Sequence, residues 1–314
     1  MIRARVLAIA LALPLTAPAC ASKGPEESCA RAARDAPTIK LLAPGQAPLE
    51  PLRLKIAGGQ QETMRMTMTM GMAMEMDGAP MMPYTKLPPT AMDMGIRVGD
   101  VAKNGDLRYE FAVDKVEILP SADSPPGLVD AIRAAMGDLK GLGGRSTMSN
   151  RGEVCEADFT IPADVSPQVK QTMEGMQQSM QQISVPFPEE AIGVGAKWEV
   201  TTVLHHAQGL DLTQTATYEV LERSGDAVKL ATPVSQKASP QQMNPPGLPP
   251  GSSVFLESME SSGSGTTVFD LTRIVPQDGQ MTMSTKMAMK VEAMGQKQAM
   301  KMTMDLDLKI APAQ

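Results

Sequence analysis

Aromatic residues are scarce: one Trp, three Tyr and five Phe in 314 residues. Platforms on which bases or sugars stack are therefore few. Positive charge is also in short supply. Lys and Arg number 29 against 35 Asp and Glu, for a net charge of −6. Loss of Arg3 and Arg5 with a leader would make the chain two units more acidic. Such a chain offers phosphates no basic face, which argues against nucleic-acid binding. Histidine occurs only at His205 and His206. Neighbours on a strand point to opposite faces, so these two do not chelate as a pair. There is no Gly-rich phosphate loop, no paired-Cys or spaced-His motif and no G-x-S-x-G. "GLGGRS", from Gly141, reads as a turn after a helix, and the carboxylates are scattered at solvent-type positions. The sequence assigns no catalytic residue, no metal ligand and no cofactor, and it reads as non-enzymatic.

Long apolar runs are missing too. A membrane-spanning helix needs about 20 apolar residues, and the run from Val6 to Leu15 is too short. With Arg3 and Arg5 before it and small residues after it, that run has the layout of a signal peptide, residues 1–19. Two readings of its end stand. Ala17-Pro18-Ala19 is a small-x-small cleavage site for plain secretion, and the same stretch resembles a bacterial lipobox that makes Cys20 the lipidated N-terminus. Ala17 stands where a lipobox usually has Leu. Cysteine is rare, at Cys20, Cys29 and Cys155. Lipidation of Cys20 would leave one pair, Cys29 and Cys155, for a disulfide in an oxidising compartment. Two free buried thiols are the other reading.

What the chain has is methionine, 27 in all. In "ETMRMTMTMGMAMEMDG" Met stands at every second position: Met64, Met66, Met68, Met70, Met72, Met74 and Met76. The period of two is that of a strand with one apolar face. The ladder recurs near the C-terminus, at Met281, Met283, Met287 and Met289 and then at Met300, Met302 and Met304. Strands ordinarily use β-branched and aromatic residues for such a face. Met is flexible and adapts to variable apolar partners. Three uses compete: plain core, an apolar-ligand surface, or a thioether site for Cu(I) or Ag(I). Along one strand i and i+2 lie about 6.7 Å apart, which argues against a metal site within a single strand.

The rest of the chain is hairpin syntax. Residues 20–50 read as a disordered tether rich in Ala, Pro, Lys and Glu. "PLRLKI" alternates as a strand, turns at "AGGQQ" and leads into the Met ladder. "DGAPMMPYTKLPP" reads as a Pro-rich loop, and two strands flank Asn104-Gly105, a strong turn dipeptide. A hairpin turns at Asn150 to Gly152. Two helices interrupt the strands. One starts at Ser124-Pro125, with Leu128, Ile132, Met136 and Leu139 on one face. The other starts at Ser166-Pro167 and carries the stripe Val169, Met173, Met176, Met180 and Ile183. Strands return from "AKWEVTTVLHH" onward, broken by the loop "KASPQQMNPPGLPPGS", and "SVFLESMES" and "GTTVFDLTRIV" read as separate strands. The fold class is mainly β with two inserted helices, a large curved antiparallel sheet in the form of a half-barrel, a barrel or two packed sheets. Residues 51–312 make a single β-rich domain, with 51–185 and 186–312 as candidate related halves.

"VPFPEEAIGVGAKWEV", from Val185 to Val200, resembles an "fP-x-x-x-v-x-v-G-x-x-W" signature in an uncharacterised family of exported bacterial proteins, a domain of unknown function. "GGRSTMSNRGEV" resembles the hairpin that precedes it there, and the Met/Thr strand resembles that family's first hairpin. The resemblance implies an exported β-rich protein and carries over no activity. By residue chemistry, Pro186 and Pro188 hold extended chain, Gly193 and Gly195 permit a tight turn, and Trp198 is the structural anchor of the core. More loosely, the architecture is similar to periplasmic lipoprotein-carrier half-barrels, a likeness of fold alone. The expected function is an envelope lipoprotein in the periplasm or at the outer membrane, otherwise secreted. It binds an apolar small molecule, a lipid or a partner on a Met-lined curved sheet, with Met64 to Met76, Met283, Met289 and Met302 as face residues. The alternatives are a structural or interaction lipoprotein without ligand, and Met-based Cu(I) or Ag(I) binding.

Overall fold

The computed structural model describes residues 24–25, 29, 37–119, 126–136, 139–160, 185–206, 209–244, 251–293 and 296–313. The signal segment, Cys20, Ser124, Pro125 and the second helix expected from Ser166 lie outside the described residues. The strands in chain order are β1 (Thr38–Ala43), β2 (Gln46–Pro51), β3 (Gln61–Met76), β4 (Ala79–Lys86), β5 (Thr90–Val101), β6 (Leu107–Ile118), β7 (Gly143–Met148), β8 (Val154–Thr160), β9 (Ala191–Val194), β10 (Lys197–His206), β11 (Leu210–Ser224), β12 (Ala227–Ala238), β13 (Gln241–Met243), β14 (Ser253–Asp270), β15 (Asp278–Ala293) and β16 (Gln296–Pro312). One described helix, α1 (Pro126–Met136), follows β6.

Fourteen strands form one antiparallel sheet in the order β1-β10-β11-β12-β14-β15-β16-β3-β5-β6-β7-β8, with β13 on β14 and β4 on β3. β2 and β9 make a separate pair. The path has two ends and does not close into a barrel. The two candidate halves meet inside this sheet, where β16 pairs with β3. The C-terminal Met ladder therefore lies beside the N-terminal one.

The curvature follows from contacts that a flat sheet forbids. β10 and β7 are nine strand steps apart. At about 4.8 Å per step, a flat sheet would separate them by roughly 43 Å. Yet Leu52 is fully buried with Trp198 of β10. Two residues on, the Leu54 amide donates to the Asn150 carbonyl in the β7–β8 turn. Arg151 in that same turn donates to the Phe187 carbonyl and accepts from the Phe187 amide, and Phe187 packs in the Trp198 cluster. The sheet must curl until its flanks share these loops, with the Trp198 side inward.

The anchor of that inner side is Trp198, fully buried, its Nε1 donating to the Pro186 carbonyl at 3.0 Å and its ring stacked on Tyr218. Burial pushes the Tyr218 hydroxyl up to about 12. A second cluster around Met94, Ile96, Phe111 and Val113 fills the other flank, and Leu139 beyond α1 packs against it. Residues 271–277, between β14 and β15, cross between the two clusters, with Leu271 in the first and Val275 in the second. Glu62 holds this crossing, pairing with Arg273 at 3.1 Å and accepting from the Ile274 amide.

Several expectations need correction. The tether ends earlier than read: residues 38–51 form β1 and β2. Ile39 and Leu41 of β1 pack on the Trp198 cluster, a two-residue period that the surrounding Lys, Ala and Pro obscured. "PLRLKI" is not the partner of the Met ladder. Past Pro51 it leaves the strand state and dives through the core, with Leu52 and Ile56 buried and the Lys55 amide bonded to Leu271. The Pro-rich loop contains a strand, β4. Prolines are tolerated there because β4 is an edge that donates to one side only. The two strands expected around Gly263 are the single β14, since Gly263 continues the pairing of Val234 through to Met283 and Gly265 that of Thr232 through to Met281. The β5–β6 turn at Asn104-Gly105 and the β7–β8 turn stand where the sequence puts them.

Candidate functional site

Directly paired residues of an antiparallel ladder share a face, so the register traces surfaces across the sheet. Met70 pairs with Leu306, Leu306 with Met283, Met283 with Gly263 and Gly263 with Val234. Val234 belongs to the Trp198 cluster. The Met face is thus the concave one. All seven ladder methionines lie on it, each half-buried.

Four more rows lie parallel to the first. Towards the Asp77-Gly78 turn, Met72 pairs with Met304 and Met304 with Thr285, which faces Ser261. The next row is Met82–Met74–Met302–Met287–Met259, one methionine from each of five adjacent strands. Beyond it stand Met76, Met300, Met289 and Leu256. On the other side, Met68 leads through Leu308 and Met281 to Gly265. None of these five rows contains a charged residue. The convex face holds the charge instead: Arg65 bridges Asp93 at 2.7 Å and Glu117 at 3.1 Å, with Lys115 beside Glu117. Hydrogen bonds and charge from Lys115 and then Arg65 hold the Glu117 carboxyl below its ordinary range.

The two ends of the concave face differ in how they are filled. Met64 and Met92 pack against the Met94 cluster, and Met281 and Met283 against the Trp198 cluster. Met287 and Met300 flank a third cluster of Leu204, Leu212, Leu256, Met259 and Met289. Between them Met68, Met70, Met72, Met74, Met76, Met302, Met304 and Leu306 belong to none of the four core clusters among the described residues. They form a half-exposed apolar floor, about 26 Å long from Met68 to Met76 at 3.3 Å per residue.

The other sequence candidates separate from this floor. Cys29 and Cys155 are joined in a disulfide, which ties the N-terminal segment to the edge strand β8. Met283 and Met289 sit on the floor's margins, whereas Met302 is central. His205 pairs with Asp211 on the surface at 2.7 Å. Among the described residues, no three His, Cys, Asp or Glu side chains converge on a metal position, and no helix is long and apolar enough to cross a membrane. Sequence reasoning missed Met82, hidden between prolines, and Leu306, Leu308 and Ile310, whose period of two continues the Met300 ladder. A shallow open concavity of about 650 Å³ lies on the convex face, where Thr63, Gly95, Ala112 and Gly143 form a row of small side chains. Its rim pairs Arg145 with Glu110, opposite charges that neutralise each other. No family model matches the chain, and no curated protein matches it.

Proposed function

We propose that this protein binds a single extended acyl chain along the concave Met floor and works as a non-enzymatic carrier or receptor in the bacterial envelope. The observation that supports this most is the uncharged, half-exposed strip of Met68 to Met76, Met302, Met304 and Leu306 inside a curled sheet. A large apolar patch left in water marks a binding surface. Its flexible thioethers suit an unbranched, variable chain better than a rigid ring system. Each covered methylene contributes about 0.8 kcal/mol, so eight to ten of them offset a binding cost of several kcal/mol. Export rests on the signal-like first 19 residues and agrees with the Cys29–Cys155 bridge, which suits an oxidising compartment. Membrane attachment through a lipid on Cys20 completes the reading.

The test uses the mature protein and a fluorescent long-chain fatty acid. Met70→Asp with Met302→Asp places two carboxylates on the floor at positions that are already half-exposed, so the fold should survive. Probe binding should weaken at least about tenfold, since a chain lying on a carboxylate must strip its water. Met66→Leu, Met68→Leu and Met70→Leu together should keep binding and cost under about 1.5 kcal/mol per site. Equal probe affinity in wild type and the Asp pair, or no binding by wild type, would refute the proposal.

A further inference from the structure

The pairing of Met with Met is not spread evenly over the concave face. Where Met66, Met68 and Met70 meet β16, their partners are Ile310, Leu308 and Leu306. Where Met72, Met74 and Met76 meet it, their partners are Met304, Met302 and Met300. The change from aliphatic to thioether partners comes without a change in burial, since all these residues are half-buried. Apolar area alone gives no reason for it, because Leu supplies the same area with better-defined packing.

Coordination chemistry gives one. The objection to a thioether metal site was the spacing of about 6.7 Å along a strand. Across strands the spacing is about 4.8 Å, and directly opposed Cβ atoms lie about 4.5–5.5 Å apart. Three sulfurs around one ion with metal–sulfur bonds of about 2.3 Å stand ~4 Å apart. Neighbouring members of a row differ from this by about 1 Å, whereas members two strand steps apart, about 9.6 Å, must each lean roughly 3 Å towards the one between them, which three rotatable side-chain bonds on a concave face allow. The row Met74–Met302–Met287 supplies three neighbouring sulfurs from β3, β16 and β15. Met82 and Met259 extend it on either side, and Met76 and Met300 stand one step along. The row contains no carboxylate, imidazole or thiolate, so it offers nothing to a hard or borderline cation.

We infer that the cross-strand row Met74, Met302 and Met287 is a binding site for a soft monovalent d¹⁰ cation, Cu(I) or Ag(I), held by thioethers alone. No electron or proton is exchanged, because thioethers bind without deprotonation. Affinity should therefore be insensitive to pH over the range in which the fold is stable, unlike that of a His or Cys site. The inference does not rest on acyl binding: exchanging Met for Leu removes the sulfur and keeps the apolar floor.

The experiment is anaerobic competition of the mature protein against a chromophoric Cu(I) chelator, repeated with Ag(I) displacing Cu(I). Wild type should withdraw Cu(I) from the chelator. The triple variant Met74→Leu, Met302→Leu, Met287→Leu should bind at least about 100-fold more weakly, because losing ligands costs more than the 10–100-fold typical of changes around them. The triple variant Met64→Leu, Met92→Leu, Met94→Leu, whose methionines pack in a core cluster, should keep wild-type affinity. Copper X-ray absorption on the wild type should show a sulfur-only shell, a readout that survives even if a variant fails to fold. Failure of wild type to compete, equal loss in both triples, or a nitrogen or oxygen shell would overturn the inference.

Discussion

Trp198→Ala should leave little folded protein at 37 °C. Trp198 is fully buried at the centre of the cluster that holds the curl, with Leu52, Phe187, Ile192 and Leu271 around it. Large aromatic-to-Ala truncations cost about 3–5 kcal/mol. The change also strips the Pro186 carbonyl of the Nε1 donor it now has at 3.0 Å, at about 1–3 kcal/mol for an acceptor left buried. The sum is comparable to the whole stability of an ordinary domain, about 5–15 kcal/mol. Trp198→Phe keeps a ring against Tyr218 and should be milder, a drop in melting temperature of several degrees rather than loss of the transition. Circular dichroism is the right readout, since Trp198 is the chain's one tryptophan and its fluorescence leaves with it. A melting curve for Trp198→Ala within about 3 °C of wild type would show that the curl does not depend on this anchor, given about 2–4 °C per kcal/mol at this size.

Gly193→Ala should be nearly as damaging, although it adds one methyl group. A Cβ at Gly193 overlaps the Gln46 carbonyl oxygen and sits 3.0 Å from that of Pro48. Both obstacles are backbone atoms of β2, so no rotamer change relieves them. The Gly193 amide also donates to the Pro44 carbonyl at 2.9 Å, a bond that separation of β2 from β9 would break. Overpacking of this kind costs about 3 kcal/mol. Gly195, two residues on, has φ +79° and open space around its Cβ position, so Gly195→Ala pays only the left-handed backbone term, about 1 kcal/mol. Urea midpoints of the two variants should differ in that order. Equal midpoints would mean that β2 can retreat from β9 without loss.

These two residues show how much of the fold was legible. Trp198 announced itself as a core anchor by size and rarity. Gly193 and Gly195 read as turn residues from their type, and Gly195 is one. The role of Gly193 was not readable, because it depends on β2, and "QAPLEP" has two prolines and no alternation. The same limit applies to β4 and to "PLRLKI": their states are set by what they touch far along the chain. Strand periods and tight turns are local, so β3, β5, β6, β15 and β16 could be read directly. The pairing of β16 with β3 is not local, and it is this pairing that turns two separate Met ladders into one floor. Composition suggested an apolar surface; only the register showed that its upper rows are thioether against thioether.

The central claim is that the concave floor carries an acyl chain. Native mass spectrometry of the protein isolated gently from the cells that make it tests it most directly. Wild type should retain a non-covalent mass matching a lipid or fatty acid, lost on collisional activation, while Met70→Asp with Met302→Asp should fly without it. Wild type that emerges with no non-covalently bound mass, under conditions that keep the fold intact, would contradict the account.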